Sequence, residues 1–212
     1  QEMIPFKSIS TLSGPSFSNE VSQSLPTAVT LATKDKKDFE NISKLIPDKE
    51  FRIYYSNDLI GTQIGGALKN IYAIAAGIAE GLNLGENAKS ALISRSFAEM
   101  ARYAKKFKAD KNTLFGLSGL GDLILTCGSK NSRNTQFGIK LASSKYDNFL
   151  DLLKSQEVTE GYYTVKAVYN ISQKKNIDMP IMESVYNILY KQHDLKEELS
   201  NLLSRPIKEE NI

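Results

Sequence analysis

One cysteine, Cys127, and one histidine, His193, are all that these 212 residues offer in soft or imidazole chemistry. A lone cysteine forms no internal disulfide, which suits a reducing compartment or is neutral. A Cys/His zinc cluster is excluded on ligand count. A Ser-His-Asp or Cys-His enzyme would have to use that single histidine. Long apolar runs are missing as well. The longest, Ile71 to Leu82, is interrupted by Gly77, Glu80 and Gly81, short of the roughly 18–20 apolar residues a membrane helix needs. Gln1 to Ser10 carry no basic segment followed by an apolar one, so no signal peptide is expected. Charge of one sign is scarce: 27 basic against 24 acidic residues leave a formal +3. The lysine clusters at 34–37 and 105–111 are broken by Asp35, Asp38 and Asp110, which reads as a solvated surface, not a stripe that tracks phosphates.

What is present is a globular composition, 41% hydrophobic and 24% charged, long enough to bury a core. β-branched runs at Ser8–Ser13 and Thr27–Thr33 and the alternation over Phe51–Tyr55 predict three strands. Helical stretches at Phe17–Leu25 and Lys36–Ile46 lie between them. Three short strands rarely make a sheet domain alone, so this segment reads as the end of an α/β sheet. From Asn57 onward the periodicity is helical. Asn57 is a candidate N-cap for a helix ending at Gly81 or Gly85, and Asn87 for the next. Further helices are expected at Ser132–Ser143, Val158–Lys174, Pro180–Gln192 and Leu195–Ser204. Leu123–Thr126 has a strand-like composition.

Four clusters carry possible chemistry. Gly65 and Gly66 sit one turn before Lys69, and paired glycines in a helix interior cost about 1 kcal/mol each against alanine. Either they clear a small pocket around a reaching lysine, or they form a seam for helix packing beside a snorkelling one. Gly116, Gly119 and Gly121 precede Asp122 with GxxGxG spacing, which is not the dinucleotide fingerprint and reads as a glycine-rich turn. Asn131-Ser132-Arg133-Asn134 opens a helical pattern, where N–H groups, dipole and side-chain donors suit an anion; the pattern equally suits a plain N-cap at Ser132 with Arg133 in solvent. Gly14-Pro15-Ser16-Phe17 lies at a strand-to-helix turn, with Ser16 as cap or ligand contact. Cys127 reads as a small buried hydrophobe and His193 as an exposed surface residue. Taken together the clusters supply a base, a carboxylate and an anion site, the inventory of a small phosphorylated substrate.

The strings LSGPSFSNEV, GGALKNIYAIAAGIAEGL, GLSGLGDLILTC and SRN, followed by EGYYTVKAV and MPIMESVYNILY, run in order from about Ser13 to Tyr190. They resemble the bacterial-type NAD(P)-dependent glycerol-3-phosphate dehydrogenases. The resemblance implies a mainly α protein: a helical substrate domain over 58–205, similar to the C-terminal domain of 6-phosphogluconate dehydrogenase, behind the last strands of a Rossmann-type α/β domain (1–57), with a tail at 206–212. The implied activity is hydride exchange between NAD(P)H and dihydroxyacetone phosphate, giving sn-glycerol 3-phosphate for glycerophospholipid synthesis. A cytoplasmic location, a possible homodimer and no nucleic-acid or membrane partner go with it. Carried over, Lys69 is the catalytic lysine, and Gly14, Ser16, Asp122, Ser132, Arg133 and Asn134 contact substrate. Ser18, Arg133, Val158 and Glu160 contact cofactor, with Ser18 standing where the family has alanine. No GxGxxG occurs in the sequence, so the resemblance covers the family's C-terminal portion, and the chain alone is expected to hold dinucleotide weakly and to be inactive. Two other readings stay open: a different hydroxyacid dehydrogenase of Rossmann-plus-helical build, which the SRN and GLGD segments argue against, and a non-catalytic helical interaction module.

Overall fold

The structure, a computed structural model, describes residues 8–46, 49–143, 159–207 and 209–210. Its first part is a three-stranded sheet of order β1 (Ser10–Ser13), β2 (Thr27–Thr33), β3 (Phe51–Ser56). β1 runs antiparallel to β2, with Leu12 opposite Leu31, and β3 runs parallel to β2, with Thr30 opposite Tyr54. The parallel step requires a crossover, supplied by α2 (Lys36–Lys44), whose N-terminus Asp35 caps by accepting the Lys37 N–H at 2.8 Å. Central β2 is buried, and Phe39 of α2 packs edge-on to Tyr55 of β3. Between β1 and β2 the expected helix shrinks to α1 (Ser18–Ser22).

The rest is helical. α3 (Leu59–Gly81) is the axis: Leu68, Ile71, Tyr72, Ala73, Ile74 and Ala76 have no exposed surface. A helix apolar on all sides must be wrapped on all sides. α4 (Gly85–Lys106), α6 (Asp122–Gly128), α7 (Arg133–Ser143), α8 (Glu160–Lys175) and α9 (Pro180–Lys191) wrap it, while β1 and β2 pack near its N-terminal half. A short α5 (Lys111–Phe115) precedes a π-helical turn, Leu117–Gly121, and α10 (Leu195–Leu203) packs on α9. Gly77 and Gly138 allow α3 and α7 to touch backbone to backbone. A Cβ on Gly77 would overlap the Thr135 carbonyl, and one on Gly138 the Ile74 carbonyl.

Several local expectations are corrected. Asp58, not Asn57, caps α3: one carboxylate oxygen takes the Gly61 N–H at 2.9 Å and the other takes the Asp110 N–H at 2.8 Å, which fixes the approach to α5. α4 begins without a side-chain cap at Gly85, whose φ of +84° reverses the chain, so Asn87 already lies inside the helix. Leu123–Thr126 is helix, not strand. Leu123, Thr126 and Cys127 are buried while Ile124 is exposed, a three-to-four spacing on one face that a four-residue composition test does not register. The glycine-rich segment is a turn, as expected, of π-helical geometry, and leads directly into α6. Ser16 does not cap α1, which starts after Phe17; its hydroxyl donates to the Gly14 carbonyl at 3.0 Å. Pro180 stands in the first turn of α9, as expected.

Candidate active site

Lys69 leaves α3 one turn past Gly65 and Gly66, and the glycines have different neighbours. A Cβ on Gly65 would strike the Ser118 carbonyl in the π-helical turn, and one on Gly66 would stand 2.8 Å from the Ser13 hydroxyl. Both seam and pocket are therefore present in the same helix. Because the backbones meet at Gly65, α6 begins close enough for Asp122 Oδ2 to lie 2.5 Å from Lys69 Nζ. Lys69 is not a snorkelling residue: its side chain is 22% exposed and that of Asp122 is 2% exposed.

Burial pushes the Asp122 carboxyl above the usual carboxylate range. Lys69, the Thr126 hydroxyl and the Gly14 N–H pull it back in part. Thr126 donates to the Asp122 carbonyl at 2.6 Å, and its hydroxyl lies 3.3 Å from Oδ1. Gly14 comes this close because it has φ +151° and because a Cβ there would stand 2.9 Å from Val29 Cα in β2.

α7 closes the far side. Ser132 is its cap, accepting the Thr135 N–H at 3.2 Å, and is nonetheless 4% exposed, facing the same cleft. Arg133, the first helical residue, keeps three-quarters of its side chain in solvent, where it pairs with Glu160 at the start of α8. Asn134 is buried and acts as a tie: its amide donates to Asn70 Oδ1 at 3.1 Å, and its carbonyl oxygen accepts the Gly161 N–H at 3.0 Å. α3, α7 and α8 thus meet at one asparagine pair.

The result is a cleft of about 560 Å³ holding Ser16, Ser18, Lys69, Asp122, Ser132, Arg133, Asn134 and Glu160. A second hollow of about 400 Å³, lined by Ser13, Gly14, Thr62 and Gln63, shares Ser16, Lys69 and Asp122 with it, so the ion pair stands between the two. Val158 lies outside the described residues. Asn70 and Thr126 line the cleft without having been singled out from the sequence. Asn70 had a signal, as the neighbour of Lys69 on a helix with costly glycines. Thr126 was hidden by the strand-like reading of its segment. Cys127 and His193 lie away from the cleft. Burial pushes the Cys127 thiol up to about 12, which removes it as a nucleophile, and His193 Nδ1 sits 2.7 Å from Glu198. Among the described residues no group of three or more His, Cys, Asp or Glu is placed to hold a metal ion, and no helix is long and apolar enough to cross a membrane.

Comparison with known proteins gives a consistent set of relatives. Residues 58–200 match the family model for the NAD-dependent glycerol-3-phosphate dehydrogenase C-terminus, and residues 1–39 match that for its N-terminus. A glycerol-3-phosphate dehydrogenase [NAD(P)+] of Solidesulfovibrio magneticus is 48% identical over 200 residues, covering 94% of this chain and 60% of that protein. One from Francisella tularensis is 42% identical over the full 212 residues and 63% of its own length. Among solved structures, the glycerol-3-phosphate dehydrogenase of Coxiella burnetii superposes with TM-score 0.88 at 38% identity, over 93% of this chain and 61% of that one. The Saccharomyces cerevisiae enzyme superposes with TM-score 0.78 at 28% identity, over 92% of this chain and 59% of that one. The chain therefore spans about three-fifths of the length of the relatives it matches.

Proposed function

This chain belongs to the NAD-dependent glycerol-3-phosphate dehydrogenase family, and from that premise we propose that its cleft binds sn-glycerol 3-phosphate and dihydroxyacetone phosphate and handles the proton in their interconversion. In this reading residues 58–205 are the substrate half and residues 1–57 belong with the dinucleotide-binding half. The observation that carries it is the Lys69–Asp122 pair standing in a polar cleft opposite Ser132 and Arg133 at the start of α7.

The substrate's phosphate sits at the α7 end. The N-terminal dipole and the Arg133 guanidinium attract it, and the Arg133–Glu160 pair, being largely exposed, yields its cation to a doubly charged ligand. The carbon bearing the reacting oxygen then lies toward Lys69. Lys69 Nζ gives a proton to that oxygen when the ketone is reduced and takes it back when the alcohol is oxidised. Asp122 aims the amine and balances its charge, and Thr126 and the Gly14 N–H hold Asp122 in turn. Ser18, Arg133 and Glu160, on the rim, suit the reactive end of a dinucleotide, whereas no glycine-rich strand-to-helix turn for its pyrophosphate exists in this sequence. A nicotinamide bound there would supply or accept the hydride.

Calorimetric titration of the 212-residue chain tests the reading. Glycerol 3-phosphate should bind, while glycerol and glycerate should not reach a tenth of its affinity. Arg133→Ala should weaken glycerol 3-phosphate about tenfold or more. Equal binding of glycerate would point to a hydroxyacid enzyme instead. No binding of glycerol 3-phosphate, or an unchanged dissociation constant for Arg133→Ala, would overturn the assignment.

A further inference from the structure

On the side of α3 away from the Lys69 cleft, the helices do not close on each other. α10 packs chiefly on α9, and between it and the α3–α4 pair runs a groove of about 410 Å³. Interiors are ordinarily packed to near crystal density, so an apolar space of this size forfeits contacts unless something fills it. Its walls are hydrocarbon: Ala75, Ile78 and Ala79 from α3, Ile188 from α9, and Leu195 and Leu199 from α10.

The groove has a polarity along its length. Ala88, Leu92, Arg95, Glu99 and Arg102 recur every three or four residues on one face of α4, and all of them line it. From Ala88 to Arg102 that face extends about 21 Å at 1.5 Å per residue. The Ala88 end carries no charge on this face. Arg95 stands midway, about 10 Å along, and Arg102 at the other end, joined by Arg205 from beyond α10. These are three of the chain's five arginines. Facing them are two acids: Asp178, which takes Arg205 at 3.0 Å and whose carbonyl accepts from Arg102 at 2.7 Å, and Glu210, which pairs with Arg95. Glu99, which lines the groove beside Arg102, brings the acids to three and leaves no net charge at this end, and a carboxylate from the chain's own tail already rests on the Arg95 guanidinium at the mouth. The carboxylates inside, Glu99 and Glu198, are turned to other partners: Glu99 to the Ile181 and Met182 N–H groups and the Tyr72 hydroxyl, Glu198 to Asn187 and His193.

We infer that this groove is a binding site for a single-chain anionic amphiphile of the fatty-carboxylate type, its hydrocarbon between α3, α4, α9 and α10 and its carboxylate among Arg95, Arg102 and Arg205. The space is too small for a partner helix, which is about 10 Å across with its side chains, and α10 already roofs it. It is long enough for an extended alkyl chain, and burial of each methylene favours the filled state. The Arg95–Glu210 pair is exposed on both sides and so is readily exchanged for a ligand carboxylate. A filled groove would join α10 to α3 and α4 as well as to α9. The site is independent of the function assigned to the Lys69 cleft.

The test is calorimetric titration of the full 212-residue chain with dodecanoate below its micelle concentration, with dodecanol and octanoate in parallel. Dodecanoate should bind saturably at one site and at least tenfold more tightly than either analogue. Ala88→Phe, which fills the apolar end, should abolish binding. Arg95→Ala should weaken dodecanoate several-fold and leave dodecanol unchanged. If Ala88→Phe does not fold, the Arg95→Ala, Arg205→Ala double variant, altered only at half-exposed side chains, decides the matter. Absence of saturable binding, or unchanged dodecanoate affinity in the arginine variants, overturns the proposal. So does displacement of dodecanoate by glycerol 3-phosphate, which would put it in the other cleft.

Discussion

The Lys69–Asp122 pair shows how one contact sets the chemistry of two residues. Asp122 is almost fully buried, and burial by itself drives its carboxyl toward the neutral form. The ammonium 2.5 Å away is the main opposing influence. Lys69→Met removes the cation and keeps the stem, leaving a buried carboxylate with only the Thr126 hydroxyl and the Gly14 N–H. We expect a loss of about 2 kcal/mol at neutral pH, because breaking one side of a buried pair strands the other charge. The sign with pH follows from the direction of the shift. A carboxyl raised by folding favours the protonated folded state, so the penalty is present when Asp122 is ionised and fades as pH falls into the ordinary carboxylate range. Denaturant midpoints of the wild type and Lys69→Met at about pH 7.5 and about pH 4.5 check this. A gap of the same size at both values would mean that lost packing, not stranded charge, sets the cost.

Elements position these residues through close backbone approach. α7 brings Ser132, Arg133 and Asn134 to the cleft because Gly138 lies against Ile74 and Gly77 against Thr135. Both contacts are to backbone, which has no rotamer to yield. Gly138→Ala should therefore cost about 3 kcal/mol, at the upper end of ordinary overpacking. It should also shift the start of α7 and weaken glycerol 3-phosphate binding, although residue 138 lies more than a helical turn beyond Arg133. Denaturant unfolding and the titration described above read the two effects separately. A destabilised variant with unchanged affinity would show that Asn134, through Asn70 and Gly161, holds the anion end without help from the α3–α7 crossing. The π-helical turn acts on the same principle. It fits between α3 and α5 only because Gly65 and Gly119 lack side chains, and it delivers Asp122 at the first position of α6.

For the whole molecule, the joint between α4 and α9 has a titration of its own. Glu99 accepts the Ile181 N–H at 2.6 Å and the Met182 N–H at 3.1 Å, serving the orphan donors of α9 from another helix. Burial raises its carboxyl to about 7, and the hydrogen bonds from Ile181 and Met182, nearby Arg102 and the Tyr72 hydroxyl pull less strongly the other way. Since the folded value lies above the unfolded one, this residue's contribution is complete below about pH 4.5 and is lost as pH rises through about 7. Glu99→Gln keeps the shape of the neutral acid. Its amide nitrogen cannot accept, so one of the two N–H groups loses its acceptor: the variant should be less stable than the wild type at about pH 5, with the deficit narrowing by about pH 8.5. A stability difference between the two proteins that does not change over that interval would refute the titration.

The sequence alone determined much of this protein. Its local signals, alternation in Phe51–Tyr55, three-to-four spacing from Leu59 onward and proline in the first turn of α9, depend on a few neighbouring residues, and the corresponding strand and helices are there. The family was legible for the same reason, since GGALKNIYAIAAGIAEGL or GLSGLGDLILTC is contiguous and needs no folding to be read. What stayed hidden depends on residues far apart in the chain. Whether Gly65 clears a pocket or a seam turns on Ser118 beside it. The Leu123–Thr126 segment is helical because α3 buries Leu123 and Thr126 together. That Thr126 holds Asp122, that Asn134 joins Asn70 to Gly161, and that Glu99 caps a helix 82 residues away are facts of packing. Local propensities amount to tenths of a kcal/mol per residue and set the elements. Backbone contact and desolvation are worth several, act only once the chain is folded, and set the site.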